Sequence, residues 1–126
     1  MTTPFTNRNE RLATRRWVLV GLATAAAFLT VPTHGHAEED PVFRIEFKDG
    51  VVTPLRLEVP AKRRFKLELH NLGQTPAEFE SRELRKEKVL APGVSSTLVI
   101  RTLDPGEYEF FDDFHLDAPP AVLVAK

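Results

Sequence analysis

Arg64-Phe65-Lys66-Leu67-Glu68-Leu69-His70 alternates strictly between polar and apolar residues. A period of two puts Phe65, Leu67 and Leu69 on one face and Arg64, Lys66, Glu68 and His70 on the other, the pattern of a strand with one buried and one wet face. The same reading extends in both directions. Upstream, Val42 to Phe47 closes on the turn signal Asp49-Gly50, and Val51 to Val59 mixes β-branched residues with Leu55 and Leu57. Downstream, runs at 77–81, 86–90, 97–103, 108–111 and 121–125 are separated by Asn71-Leu72-Gly73, Pro92-Gly93 and Pro105-Gly106. Only Ser81 to Lys86 has room for a helical turn. Seven or eight short strands at this spacing predict an all-β, Greek-key antiparallel β-sandwich.

The chain of 126 residues has 17 basic and 18 acidic side chains, a formal net charge of −1. It offers no positive field for a phosphate backbone, so nucleic acid is not an expected partner. With no cysteine, disulfides, iron–sulfur clusters, thiolate zinc and thiolate copper are all excluded, and any metal chemistry falls to oxygen and imidazole.

The first 37 residues read as an export signal. Arg8, Arg11, Arg15 and Arg16 precede an uncharged run from Trp17 to Val31, and Gly35 and Ala37 are small residues suited to cleavage after Ala37. A run of 15 residues ending at Pro32 is shorter than the about 20 that a spanning helix needs, so the exported form is expected not to span a membrane. Thr14-Arg15-Arg16-Trp17-Val18-Leu19 resembles a twin-arginine signal in part, and general secretion remains open. His34 and His36 fall in the segment expected to be removed. Residues 38–126 then form one periplasmic domain with 13 basic and 17 acidic side chains, a net charge of −4.

The stretch richest in chemistry is Gly106-Glu-Tyr-Glu-Phe-Phe-Asp-Asp-Phe-His115. Alternation carries Tyr108 and Phe110 into Asp112, and a carboxylate at the end of an apolar row is costly unless it is paired, hydrogen-bonded or bound to a cation. Glu78 and Glu80 sit two apart on one strand and share a face. Four apart, Glu83 and Glu87 would share a face of a helical turn, or form a solvent-facing pair among Arg82, Arg85, Lys86 and Lys88. Asp113 is a turn residue or a partner for the His115 imidazole. His70 ends its strand on the polar face, where a plain surface role competes with a ligand role.

This stretch resembles the C-terminal ligand loop of cupredoxins. There, a Pro-Gly turn and a Gly-x-Tyr-x-Phe strand lead to a copper-ligating cysteine, with a histidine three residues on. Asp112 stands at the cysteine position and His115 at the histidine position. The axial methionine has no counterpart, Pro120 lying near its place, and the upstream ligand histidine is absent from Gln74-Thr-Pro-Ala-Glu-Phe-Glu80. Pro76-Ala-Glu-Phe-Glu-Ser81, Glu83-Leu84 with Glu87-Lys88, and Phe110-Phe-Asp-Asp-Phe-His115 resemble more closely the cysteine-free cupredoxin-like component of bacterial periplasmic ferrous-iron uptake systems. That resemblance implies work beside a periplasmic iron-binding protein and a membrane iron permease, with copper or iron bound and at most an accessory role in ferrous-iron oxidation. The ligands it suggests are Glu78, Glu80, Asp112 and His115 first, then Glu83, Glu87, Asp113 and His70. A metal-free sandwich docking to a transporter subunit is the alternative.

Overall fold

Among the described residues, nine strands follow one another as β1 (Val42–Lys48), β2 (Val51–Thr53), β3 (Arg56–Val59), β4 (Phe65–Asn71), β5 (Ala77–Ser81), β6 (Lys86–Leu90), β7 (Ser95–Ile100), β8 (Gly106–Asp112) and β9 (Ala121–Ala125). The computed structural model describes Gly35 and residues 37–126. Apart from Gly35 and Ala37, the expected export signal lies outside the described residues. Among the described residues there is no helix, and so none long and apolar enough to cross a membrane.

Two sheets face each other, a four-stranded one in the order β2-β1-β4-β7 and a five-stranded one in the order β3-β9-β8-β5-β6. The all-β sandwich expected from the alternation is present, with two differences. The run 51–59 is two strands in two different sheets, because Pro54 has no N–H to give a ladder and the chain switches sheets there. That switch, followed by the crossing from β3 to β4, returns the chain to β1 in the same direction. As a result, β1 pairs with β4 in parallel, and β3 pairs with β9 in parallel. The remaining ladders are antiparallel.

The inward rows are those the alternation predicts. Phe65, Leu67 and Leu69 of β4 are wholly buried with Ile45 and Phe47 of β1, and they face Phe79, Leu90, Phe110 and Leu123 of the other sheet. Phe79 and Phe110 stack with ring centroids 5.2 Å apart. Burying each such side chain contributes about 1.5–3 kcal/mol, so this row holds the two sheets together. Among the described residues, Asn71, Ser81 and Asp112 are the buried polar ones, and no buried side-chain N or O atom lacks a partner.

Candidate metal site

The end of the sandwich where β1, β4 and β8 run out is organised by carboxylates. Asp49, in the β1–β2 turn, accepts at Oδ1 from the Gln74 N–H (2.8 Å), the Thr75 N–H (3.0 Å) and the Thr75 hydroxyl (3.0 Å). These donors, Gln74 first, hold its carboxyl below the ordinary range. Gly73 is required beside it, since a Cβ there would meet the Asp49 nitrogen at 2.6 Å. Asn71 completes the loop from inside, donating from Nδ2 to Thr75 O and Leu90 O and accepting at Oδ1 from Gly73 N.

Asp112 is fully engaged within the protein. Its Oδ1 accepts from the N–H of Glu78 (2.9 Å) and of Phe114 (3.1 Å), and its Oδ2 lies 2.8 Å from His115 Nδ1. A carboxylate only accepts, so Nδ1 carries a proton, and Nε2 lies 3.3 Å from the oxygen of the Thr75 hydroxyl, whose own proton goes to Asp49. Gly50, at φ +87°, packs on the ring, where a Cβ would lie 3.2 Å from His115 Cδ2. Asp112 therefore plays the part sequence reasoning gave to Asp113, orienting the imidazole, and it also fastens β5 to the β8–β9 loop. A thiolate copper centre does not fit here. There is no sulfur donor, and the residue at the cysteine position spends both oxygens on N–H groups.

Glu78 and Glu80 lie on the opposite side of the sheet. In β5, Ala77, Phe79 and Ser81 point inward, so Glu78 and Glu80 point outward, while Asp112 follows Phe110 into the interior. The four residues expected first as ligands thus divide, Glu78 and Glu80 on the outer face of the sheet, Asp112 in the interior and His115 in the loop that follows β8. What the outer face brings together is Glu78, Glu80 and Glu87, whose carboxylate oxygens lie within 4.8 Å of one another. Cross-strand register explains the addition, since Glu80 stands directly opposite Glu87, a like-charge pairing that destabilises a ladder. Among the described residues, none of the three makes an ion pair with Lys, Arg or His. Beside them is an open hollow of about 440 Å³ lined by Glu80, Arg82, Arg85, Lys86 and Glu87 among others.

Burial, followed by the charges of Asp113, Glu87, Glu80 and Asp112, pushes the Glu78 carboxyl above its ordinary value. A raised carboxyl favours the fold while protonated, and that contribution is lost as pH rises through the folded pKa. Glu78→Gln is accordingly expected to stabilise the metal-free protein at neutral pH by at most about 1 kcal/mol. The gain should vanish in acid below 4.5, the ordinary value, as thermal melts at the two pH values would read.

The other expected ligands are placed apart. Glu83 Oε1 accepts from the Glu109 N–H at 3.3 Å. Asp113 reaches the acidic face through its charge on Glu78, while its N–H donates to Glu78 O at 3.0 Å. His70 belongs to the four-stranded sheet, between Ser95 Oγ (2.8 Å from Nδ1) and Glu68 Oε2 (3.4 Å from Nε2). Asp49 and Thr75 escaped sequence reasoning. Asp49-Gly50 reads as a turn, and nothing in it shows that the carboxylate would reach a loop 25 residues away.

A family model described as the cupredoxin-like domain matches residues 21–125. An uncharacterised protein of Rickettsia prowazekii is 37% identical over 83 residues, a match spanning 66% of each chain and so just under two thirds of that relative. Among solved structures, the blue copper protein auracyanin A of Chloroflexus aurantiacus superposes with TM-score 0.60 at 9% identity, covering 70% of this chain and all of that one. The dithionite-reduced auracyanin of Roseiflexus castenholzii gives 0.58 at 14%, covering 70% and 98%. The metal-binding domain of the Cu(I)-exporting P-type ATPase of Streptococcus pneumoniae, solved with Cu(I), gives 0.56 at 12%, covering 68% and 84%. At such identities the structural likeness speaks for the fold alone, but the family model spans most of the sequence, and the chain belongs to the cupredoxin-like domain family.

Proposed function

We propose that this protein is an exported, periplasmic metal-binding protein that holds iron or copper(II) on the outer face of its five-stranded sheet, through Glu78, Glu80 and Glu87. The observation that carries the proposal is the convergence of three carboxylates without a basic partner among the described residues. Hard oxygen donors suit iron, manganese and copper(II), and they favour the higher charge state over Cu(I). Copper enters from the fold, since structural neighbours are copper proteins by name. Iron enters from the resemblance of residues 76–81, 83–88 and 110–115 to the ferrous-iron uptake component. On that footing the protein takes part in iron acquisition, presenting metal to a periplasmic iron-binding protein or a membrane permease. Binding rather than catalysis is the role these side chains support.

Calorimetric titration with iron(II) and copper(II) tests this. Glu80→Gln with Glu87→Gln should weaken binding by at least about tenfold, one lost charged ligand contact being worth about 1.4 kcal/mol or more, while His115→Ala leaves it unchanged. Equal binding by the acidic-face variant and wild type would overturn the proposal and favour a metal-free docking module.

A further inference from the structure

The four sheet edges are unequal. β2 is three residues long and runs into Pro54; β3 carries Arg56 and Glu58 between Pro54 and Pro60; β6 carries Lys86-Glu87-Lys88. Shortness, proline and charge are the devices that keep an edge from pairing. β7, Ser95-Ser-Thr-Leu-Val-Ile100, has none of them: six residues, no charge, no proline, no glycine.

Its free backbone groups can be assigned. The Asn71 N–H donates to Val94 O (3.0 Å) and Asn71 O accepts from the Gly93 N–H (2.9 Å), a bulge at the end of the ladder that shows the odd-numbered residues of β4 turning their backbone groups toward β7. Antiparallel pairs alternate in this respect, so Ser96, Leu98 and Ile100 bond to β4, and Ser95, Thr97 and Val99 turn their N–H and C=O groups away from it. The Ser95 Oγ to His70 Nδ1 contact of 2.8 Å agrees, because non-hydrogen-bonded pairs bring side chains closest. Among the described residues, β7 pairs with β4 alone.

We infer that β7 is a self-association edge that pairs antiparallel with β7 of a second copy about a two-fold axis at Thr97. This register sets Thr97 opposite Thr97 of the second copy and Ser95 opposite Val99 of the second copy, so every free N–H on the strand meets a free C=O of the other copy. Side chains stay on matching faces because the partners have equal parity. The uncharged strand has nothing to repel itself, and Thr–Thr and β-branched pairs are favourable across a ladder. Val94 and Val99, 45% and 37% exposed, gain cover at the seam. The four-stranded sheet becomes a continuous eight-stranded sheet across two copies, closed by an isologous contact. One strand pair is smaller than a standard interface, which places the dissociation constant between about micromolar and about millimolar.

Sedimentation equilibrium of the purified protein in chelator, from low micromolar to millimolar concentration, tests this independently of metal binding. The mass should rise from one chain to two, with slowed amide exchange at Thr97 and Val99. Thr97→Lys sets like charges opposite each other and should weaken the dimer by about fivefold or more. Thr97→Pro removes an outward N–H that the monomer does not use, and should abolish pairing. Thr97→Val should retain it. A single-chain mass at every concentration, or a dimer that survives both Thr97→Lys and Thr97→Pro, would overturn the inference.

Discussion

Asp112→Ala is expected to lower the unfolding free energy of the metal-free protein by about 3–4 kcal/mol, since each hydrogen bond to a charged group is worth about 1.5–3 kcal/mol and buried donors left unpaired add to the loss. The Asp112 side chain is 1% exposed, so water cannot replace it. Three donors lose their acceptor together: Glu78 N–H, Phe114 N–H and His115 Nδ1–H. The register of β5 against β8, which sets Phe79 opposite Asp112, loses its end clamp. Asp112→Asn keeps one oxygen for the two N–H groups and should fall between. Urea unfolding in chelator measures both. If Asp112 were a metal ligand and nothing else, its removal would leave metal-free stability untouched, so an unchanged midpoint would refute the role assigned here.

The other large effect lies in the core. Phe79→Ala should cost about 3–5 kcal/mol, the usual range for emptying a buried aromatic site. Phe79 is wholly buried, stacks on Phe110 and stands between the two sheets, so neighbours on both sides are held by their own ladders and cannot collapse into the space. In a domain of this size the loss corresponds to a fall of roughly 15–30 °C in melting temperature. Phe111, one residue along from Phe110, is the control. It faces outward, half-buried under the Arg82 guanidinium at 5.5 Å, and Phe111→Ala should cost no more than about 1–2 kcal/mol. Similar losses at the two positions would mean that the inward and outward rows are misassigned.

Much of the architecture was legible in the sequence because alternation is a local signal. Phe65, Leu67 and Leu69 declare their face, and the Gly- and Asn-containing turns mark where strands stop. The split of 51–59 was hidden, since apolar residues run through it almost without a break, while the inward phase shifts from the even Val52 in β2 to the odd Leu57 and Val59 in β3. The parallel β1–β4 pairing depends on how the chain crosses between sheets, which no window of residues records.

The candidate site was legible by residue type and not by face. Glu78 and Glu80 can be placed on one side of a strand from spacing alone. That Glu87 joins them, while Asp112 does not, depends on the β5–β6 register and on the side of β8 that faces the core. Asp112 drew notice because a carboxylate ends an apolar row. Such a residue needs a cation or a set of N–H donors, and sequence does not say which; here the backbone of β5 and of the β8–β9 loop supplies the donors. Asp49 makes the same point across the β4–β5 loop, where one oxygen gathers three donors.

X-ray absorption at the iron or copper edge of the loaded protein reports the donor atoms of the bound metal themselves. A site built on Glu78, Glu80 and Glu87 gives a first shell of oxygen only, without the outer-shell scattering of an imidazole ring, and the spectrum is unchanged by His115→Ala. An imidazole signature that disappears in His115→Ala would contradict it and move the metal to the loop end of the sandwich where His115 sits.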